Sequence, residues 1–163
     1  MEVEETGTTF QENAMLKATE YYSHSNIPTL ADDSGLIVNT LNGAPGIKSA
    51  RYAGNNATDQ ENRDKLLSKL ADTPTNMRKA MFVCVIAIIT KPNEIKVFQG
   101  TIQGSIANKE TGEMGFGYDS IFIPENDTRS MAQLTGPEKI KISHRGIALR
   151  KTSNWFKNSR ILN

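Results

Sequence analysis

Cysteine is nearly absent from this chain: Cys84 stands alone among 163 residues. No internal disulfide can form, and a reducing compartment is the natural setting. Cys84 lies in the apolar run 81–89, where a buried, inert thiol is expected rather than a nucleophile. A basic excess is missing too. The formal net charge is +1 at pH 7. That argues against a general nucleic-acid binder, but it leaves room for a nucleotide pocket, where a few well-placed cations suffice. No apolar run is long enough to cross a bilayer. The start, Met1-Glu2-Val3-Glu4-Glu5, is acidic and lacks the apolar stretch of a signal peptide. These absences predict a soluble cytoplasmic protein with no nucleic-acid and no membrane partner. Hydrophobic residues are 37% and charged residues 23%, enough for a packed core in one domain or a tightly joined pair of lobes.

Three capping boxes, Ser or Thr followed three residues later by Glu or Gln, mark helix starts: Thr9/Glu12, Thr58/Glu61 and Ser130/Gln133. The first opens a helix of about four turns, to near His24. Phe10, Ala14, Ala18 and Tyr21 recur at helical spacing and should face the core. Leu30-Ala31 and residues 36–41 read as short strands on either side of Asp32-Asp33-Ser34-Gly35. The second helix runs to about Leu70, with Leu66, Leu67 and Leu70 inward. Residues 81–90 form a strand rich in Val and Ile, followed by the turn Lys91-Pro92-Asn93-Glu94. Residues 95–107 form a long strand in which Gly100 and Gly104 suggest a bulge or bend. Residues 121–123 form a short strand, and the remainder is helical, breaking near Gly136-Pro137 and ending in a helix over 143–158. The fold class is α/β with a mixed sheet.

Asp32-Asp33-Ser34-Gly35 carries the first chemical signal. Adjacent carboxylates on a turn repel unless a cation joins them, and Mg²⁺ takes one or two carboxylates plus substrate phosphates. An ordinary turn explains the same four residues, since all are turn formers. Glu4-Glu5 is a second acidic pair before a helix start; Glu5 is a candidate metal ligand or simply favours the helix N-terminus. Asn13 and Lys17 share a helix face at i and i+4; Lys17 either reaches a phosphate or snorkels to solvent. Small residues surround Arg51 in Ser49-Ala50-Arg51-Tyr52-Ala53-Gly54, a phosphate fork or a plain surface loop. Gly115-Phe116-Gly117-Tyr118-Asp119 alternates glycine with aromatics, offering backbone donors and a stacking ring, or a turn with core aromatics. Ser143-His144-Arg145-Gly146 opens the last helix with a cluster of donors, or with two solvated side chains.

Taken in order, these segments, with Glu5-Thr6-Gly7-Thr8-Thr9-Phe10, Gly43-Ala44-Pro45-Gly46 and Ile142-Ser143-His144-Arg145-Gly146, resemble the inosine/xanthosine triphosphate pyrophosphatases from Glu4 to about Leu149. The resemblance implies two α/β lobes around a central cleft, a homodimer, Mg²⁺ as cofactor, and cleavage of non-canonical purine nucleoside triphosphates (ITP, dITP, XTP) to monophosphate and pyrophosphate. It implies that Asp33 is the catalytic carboxylate, that Glu5 and Asp33 hold the metal, and that Asp32 supports both. Ser34 and Lys17 would contact phosphates, Asn13 would order the same wall, and Arg51 would also bind substrate. Phe116, Gly117, Tyr118 and Asp119 would line the base pocket, with Phe116 stacking on the purine. Lys139, His144 and Arg145 would meet the base and its 6-oxo group. Physically, a donor-lined pocket accepts hypoxanthine or xanthine at position 6 and leaves groups unpaired against the adenine amino group.

Two departures stand out. The resembled family begins with a strand, a Thr-x-Asn-x-x-Lys loop and a helix before its Glu-Thr-Gly segment, whereas here Met1 precedes Glu5 by four residues. From this follow the expectations of an uncovered sheet edge, weaker activity, and as an alternative a non-catalytic nucleotide-binding remnant. Ser120 replaces the usual proline after Asp119, a change expected to matter little. A nucleic-acid-binding module is disfavoured by the balanced, scattered charge.

Overall fold

The computed structural model describes residues 3–159. Met1 and Glu2 of the acidic start, and residues 160–163 of the expected single domain over 1–163, lie outside the described residues. In chain order the elements are α1 (Phe10–Ser25), β1 (Thr29–Val38), α2 (Asp59–Lys69), β2 (Lys79–Lys91), β3 (Glu94–Ile106), β4 (Phe122–Pro124), α3 (Gly136–Ile142) and α4 (His144–Asn158), with short 3-10 turns between them. The strands form one sheet in the order β1-β2-β3-β4. β3 and β4 are antiparallel, with Ser105 opposite Ile123. The α/β class expected from the sequence is observed.

The described chain divides into two compact units. One takes the chain up to Ser34, Val83–Thr101 and the chain from Ser143 onward; the other takes Gly35–Phe82 and Ile102–Ile142. In the first, Cys84, Ile86, Ile88 and Ala148 form a buried cluster with Phe98, Trp155 and Phe156 against it. Cys84 is fully buried, as its apolar run predicts, and burial pushes its thiol above the ordinary range. In the second, Leu36, Val38, Leu66, Leu70, Phe82 and Phe122 lead the core, with the Phe82 and Phe122 ring centroids 4.4 Å apart.

Helices start where local hydrogen bonding dictates. Thr9 and Glu12 cap α1 reciprocally, and Thr58 and Glu61 cap α2. The Ser130/Gln133 box is also formed, but it opens only the 3-10 turn Met131–Gln133, because Leu134 returns to extended backbone. Gly136-Pro137 does not break a helix; it begins α3. Proline is tolerated there because the first-turn N–H groups have no intrahelical partner to lose. Tyr21 is 41% exposed rather than inward; the buried stripe of α1 ends at Ala18.

Two corrections concern the strands. Asp32-Asp33-Ser34-Gly35 is not a turn between short strands: β1 runs straight through it and ends at Val38. And β3 is not broken at its glycines. A Cβ at Gly100 would lie 2.1 Å from the His144 carbonyl oxygen and 2.5 Å from the Ala148 nitrogen, and one at Gly104 would lie 2.6 Å from the Phe122 ring. Both glycines permit close approach of a neighbour.

Arg78 holds the second unit together at the end of α2. It is 5% exposed. Its guanidinium donates to the carbonyls of Leu70 at 2.7 Å, Thr73 at 2.9 Å and Ala107 at 3.1 Å, tying the C-cap residue of α2 to the chain that follows. Arg78→Ala removes these three charge-assisted hydrogen bonds, and each such loss costs about 1–3 kcal/mol. We expect the variant to melt roughly 5–15 °C below wild type, read by circular dichroism; an unchanged melting temperature excludes the role.

Candidate active site

In a β-strand, successive side chains point to opposite faces. Asp33 therefore leaves one face of β1, while Asp32 and Ser34 leave the other. On the Asp33 face, the Lys17 ammonium from α1 lies 3.0 Å from Asp33 Oδ1 and 3.0 Å from Glu5 Oε1. Asn13, one turn earlier and fully buried, donates from Nδ2 to Asp33 Oδ2 at 3.3 Å and accepts the Gly7 N–H at 2.9 Å. A Cβ on Gly7 would stand 2.6 Å from Asn13 Oδ1, so glycine lets the Glu5-Thr6-Gly7 segment lie close against α1. Glu5, Asn13, Lys17 and Asp33 are thus brought together, and Lys17 does not snorkel away.

The Asp32 face has a different cation. Arg145, in the first turn of α4, donates from Nη2 to Asp32 Oδ2 at 2.8 Å, and the Ser34 hydroxyl donates to the same oxygen at 3.0 Å. Cys84 Sγ lies 3.9 Å from it. Ser143 caps α4, its Oγ accepting the Gly146 N–H at 3.0 Å. Gly100 lets this helix start approach β3, and that approach sets where Arg145 stands. The two adjacent carboxylates therefore do not share one cation; each has its own. Ser34 lies with Asp32 and Arg145, not with Lys17, so the two expected phosphate ligands are on different faces of β1. His144, half-buried, is the first residue of α4.

These surroundings push the two carboxyls apart. Burial raises Asp33, and the Lys17 hydrogen bond and charge only partly offset it, so its carboxyl titrates above its ordinary range. Burial also acts on Asp32, but the Arg145 hydrogen bond and charge outweigh it and hold the group below that range. For Lys17, burial works against the charged form, yet its bonds to Glu5 and Asp33 prevail and keep the ammonium above its usual range. A carboxyl that takes a proton readily beside one that does not is the arrangement that separates a proton acceptor from a fixed charge.

In the other unit, Gly115, Phe116, Gly117 and Asp119 line a pocket of about 170 Å³ with Arg63, Glu110 and Ser120. Phe116 is 67% exposed. The Lys139 ammonium pairs with Asp119 Oδ2 and lies 5.3 Å from the Phe116 ring centroid, close enough for a cation–π contact. Asp119 Oδ2 also accepts the Phe116 N–H at 2.9 Å. Gly115 adopts φ +89°, and a Cβ there would meet Asp119 Oδ2 at 2.3 Å. Tyr118 behaves differently from the expectation: it is 5% exposed in the core, and its hydroxyl donates to the Ser49 carbonyl at 2.8 Å. Its ring packs rather than lining the pocket. Nor is the Gly117 N–H an open donor for a base, because Asp59 Oδ2 accepts it at 2.7 Å. Arg51 is the half-buried last residue of the 3-10 turn Gly46–Arg51.

The pattern of the Ham1 family matches residues 1–155. The chain belongs to the Ham1 family. It is 52% identical over 148 residues to a dITP/XTP pyrophosphatase of Staphylococcus aureus, covering 91% of this chain and 75% of that protein. It is 48% identical over 161 residues to a dITP/XTP pyrophosphatase of Bacillus cereus, covering 95% and 78%. Among solved structures, the Staphylococcus aureus Ham1 protein superposes with a TM-score of 0.92 at 48% identity, over 98% of this chain and 82% of that one. A Ham1 protein from Coxiella burnetii gives a TM-score of 0.92 at 44% identity, over 96% and 81%.

Several residues of this Ham1 family member escape a motif reading. Asn62 on α2, 2% exposed, donates to the Ala50 carbonyl at 3.1 Å and accepts the Ala53 N–H at 2.7 Å. Arg63 and Glu110 pair at 2.9 Å behind the Phe116 loop. The Ser120 hydroxyl donates to Glu110 at 2.9 Å, so the residue standing in place of proline is tied into this group. A signal for Asn62 was available: it lies four residues before Leu66, on the inward face of α2.

The glycines give a graded test. Gly100→Ala drives a Cβ into backbone atoms of α4, and overpacking of this kind costs about 1–3 kcal/mol. At Gly117, φ is +59° but nothing lies within 4 Å of a Cβ, so Gly117→Ala carries only a left-handed backbone cost of about 1–2 kcal/mol. Melting temperatures should rank wild type, Gly117→Ala, Gly100→Ala; the reverse order of the two variants contradicts the close approach of α4.

Proposed function

We propose that the chain works as one nucleoside triphosphate pyrophosphatase domain, hydrolysing non-canonical purine nucleotides (ITP, dITP, XTP) to monophosphate and pyrophosphate and so sanitising the nucleotide pool. The observation that carries the reading is the Lys17 ammonium held between Glu5 and Asp33, at 3.0 Å from each, in a chain 46–52% identical to proteins named dITP/XTP pyrophosphatase.

Glu5 and Asp33 fit a hard divalent cation. Their oxygens converge on one cationic group, and among the described residues no three of His, Cys, Asp and Glu gather as a metal cage. The protein thus offers two carboxylates, the number Mg²⁺ takes when substrate phosphates complete its shell. Bound there, Mg²⁺ would neutralise phosphate charge and make a water more acidic. Lys17 meets phosphate oxygens as a compact positive charge. The water oxygen bonds to the α-phosphorus as the bond from that phosphorus to the α–β bridging oxygen breaks and pyrophosphate leaves, and Asp33 accepts the water proton. Asn13 holds Asp33 in place. Phe116 stacks on the purine, with Lys139 and Asp119 beside it. Arg145, which donates to Asp32, serves the 6-oxo group together with His144. A homodimer and a cytoplasmic setting complete the proposal, on the family resemblance.

Two outcomes test it. Asp33→Asn keeps an acceptor for Lys17 and removes a carboxylate whose burial disfavours its charge, so the fold should hold. Pyrophosphate release from inosine triphosphate should fall by about 10²–10⁴; near-normal turnover by the folded variant removes Asp33 from the reaction. Wild type should prefer inosine over adenosine triphosphate in kcat/KM, and Arg145→Ala should narrow that preference by about tenfold or more. Equal hydrolysis of the two by wild type would sink the donor reading.

A further inference from the structure

Phe116 presents a problem of placement. Its ring is 67% exposed, with the Lys139 ammonium 5.3 Å from its centroid. It stands between Gly115 at φ +89° and Gly117 at φ +59°, residues with the most backbone freedom to lose on ordering. A ring that must meet a flat base needs a defined starting point, and the backbone around it sets the direction in which the side chain leaves the loop.

The N–H and carbonyl groups of Phe116 and Gly117 are all committed. Its own N–H goes to Asp119 Oδ2 at 2.9 Å, and its carbonyl accepts the Asp119 N–H at 3.2 Å. The next residue, Gly117, is gripped from α2. Its N–H donates to Asp59 Oδ2 at 2.7 Å, and its carbonyl accepts from Arg63 Nη1 at 2.7 Å. Arg63 is itself locked: Nε donates to Glu110 Oε2 at 2.9 Å and Nη2 to Gln60 Oε1 at 2.8 Å, and its side chain is only 14% exposed. Asp59 and Arg63 are four residues apart on one helix, so they share a face. Charged partners on the N–H and the carbonyl of one residue make stronger hydrogen bonds than neutral ones.

We propose that Asp59 and Arg63 are positioning residues that hold Gly117 by its N–H and its carbonyl and thereby fix the backbone from which the Phe116 ring reaches the purine. This rests on the pyrophosphatase reading above. Both act through the backbone that carries Phe116. Their loss weakens base binding without touching proton transfer, so it is read in KM rather than kcat.

The test uses Asp59→Ala, Asp59→Asn, Arg63→Ala and Phe116→Ala, alone and combined, with inosine triphosphate. Asp59 is exposed, so its variants fold even if Arg63→Ala is destabilised. Asp59→Ala and Arg63→Ala should raise KM about tenfold with kcat within about threefold. Asp59→Asn, which keeps an acceptor for the Gly117 N–H, should stay near wild type. In the Phe116→Ala background Asp59→Ala should leave KM unmoved, since partners in one device are not additive. Unchanged KM in Asp59→Ala, or a full additional effect without the ring, overturns the proposal. Amide exchange at Gly117 in the nucleotide-free protein separates the failures. It should speed up in Asp59→Ala; if it does not, the grip is absent whatever the enzyme hydrolyses. If it does speed up while wild type releases no pyrophosphate, the pyrophosphatase reading fails and the role for the purine falls with it.

Discussion

Side-chain alternation along β1 is the constraint on which the rest of the site depends. Asp32 and Asp33 are neighbours in sequence but leave opposite faces of the strand, and each meets a cation of its own. Two like charges about 4 Å apart on one face would repel by roughly 4 kcal/mol in a half-buried setting. The pleat separates them at no such cost. It also demands that cations arrive from different elements, Lys17 from α1 and Arg145 from α4. The close approach of α4 to β3 at Gly100 is therefore part of the electrostatics and not only of the packing.

What could be read from the sequence was what is decided locally. The boxes at Thr9/Glu12 and Thr58/Glu61 lie within one turn, so α1 and α2 begin where the residues say. The buried thiol of Cys84 was legible from its apolar neighbours. The continuity of β1 was not. Asp, Ser and Gly favour turns by their own chemistry, and what overrides them is distant: Lys17 is 16 residues from Asp33, and Arg145 is 113 from Asp32. The glycines of β3 failed for the same reason. A bulge and a close approach leave the same letter in the sequence, and the helix that fills the space at Gly100 begins at His144. Tyr118 shows the limit of motif order: its place between Gly117 and Asp119 suggested a pocket wall, but its hydroxyl finds the Ser49 carbonyl, 69 residues away.

α2 has a larger part than its apolar stripe suggests. Leu66 and Leu70 anchor it in the core, and Arg78 ties down its C-cap residue. With the helix held, its polar side chains become fixed points for otherwise irregular chain. Asn62 satisfies the Ala50 carbonyl and the Ala53 N–H, so the loop around Arg51 is pinned by one buried amide. The carbonyl of Ser49, just before that loop, is held from Tyr118. Loops lack ladders of their own, and their backbone groups must find side chains or water. Here a single helix and one tyrosine supply the partners, which lowers the entropy that binding would otherwise have to overcome.

The two faces of β1 differ in one further way. Arg145 matches Asp32, so that pair carries no net charge. Lys17 serves both Asp33 and Glu5, so one cation is divided between two carboxylates. The titration of the two strand carboxyls differs as well: burial raises Asp33 above its ordinary range, whereas the Arg145 bond and charge outweigh burial at Asp32 and hold it below. Hard oxygens and a shared lysine both fall on the Asp33 face. The face with Asp32 has a fixed ion pair and orients what surrounds it. One strand therefore carries two carboxylates of different character in adjacent positions, distinguished by the helix each faces.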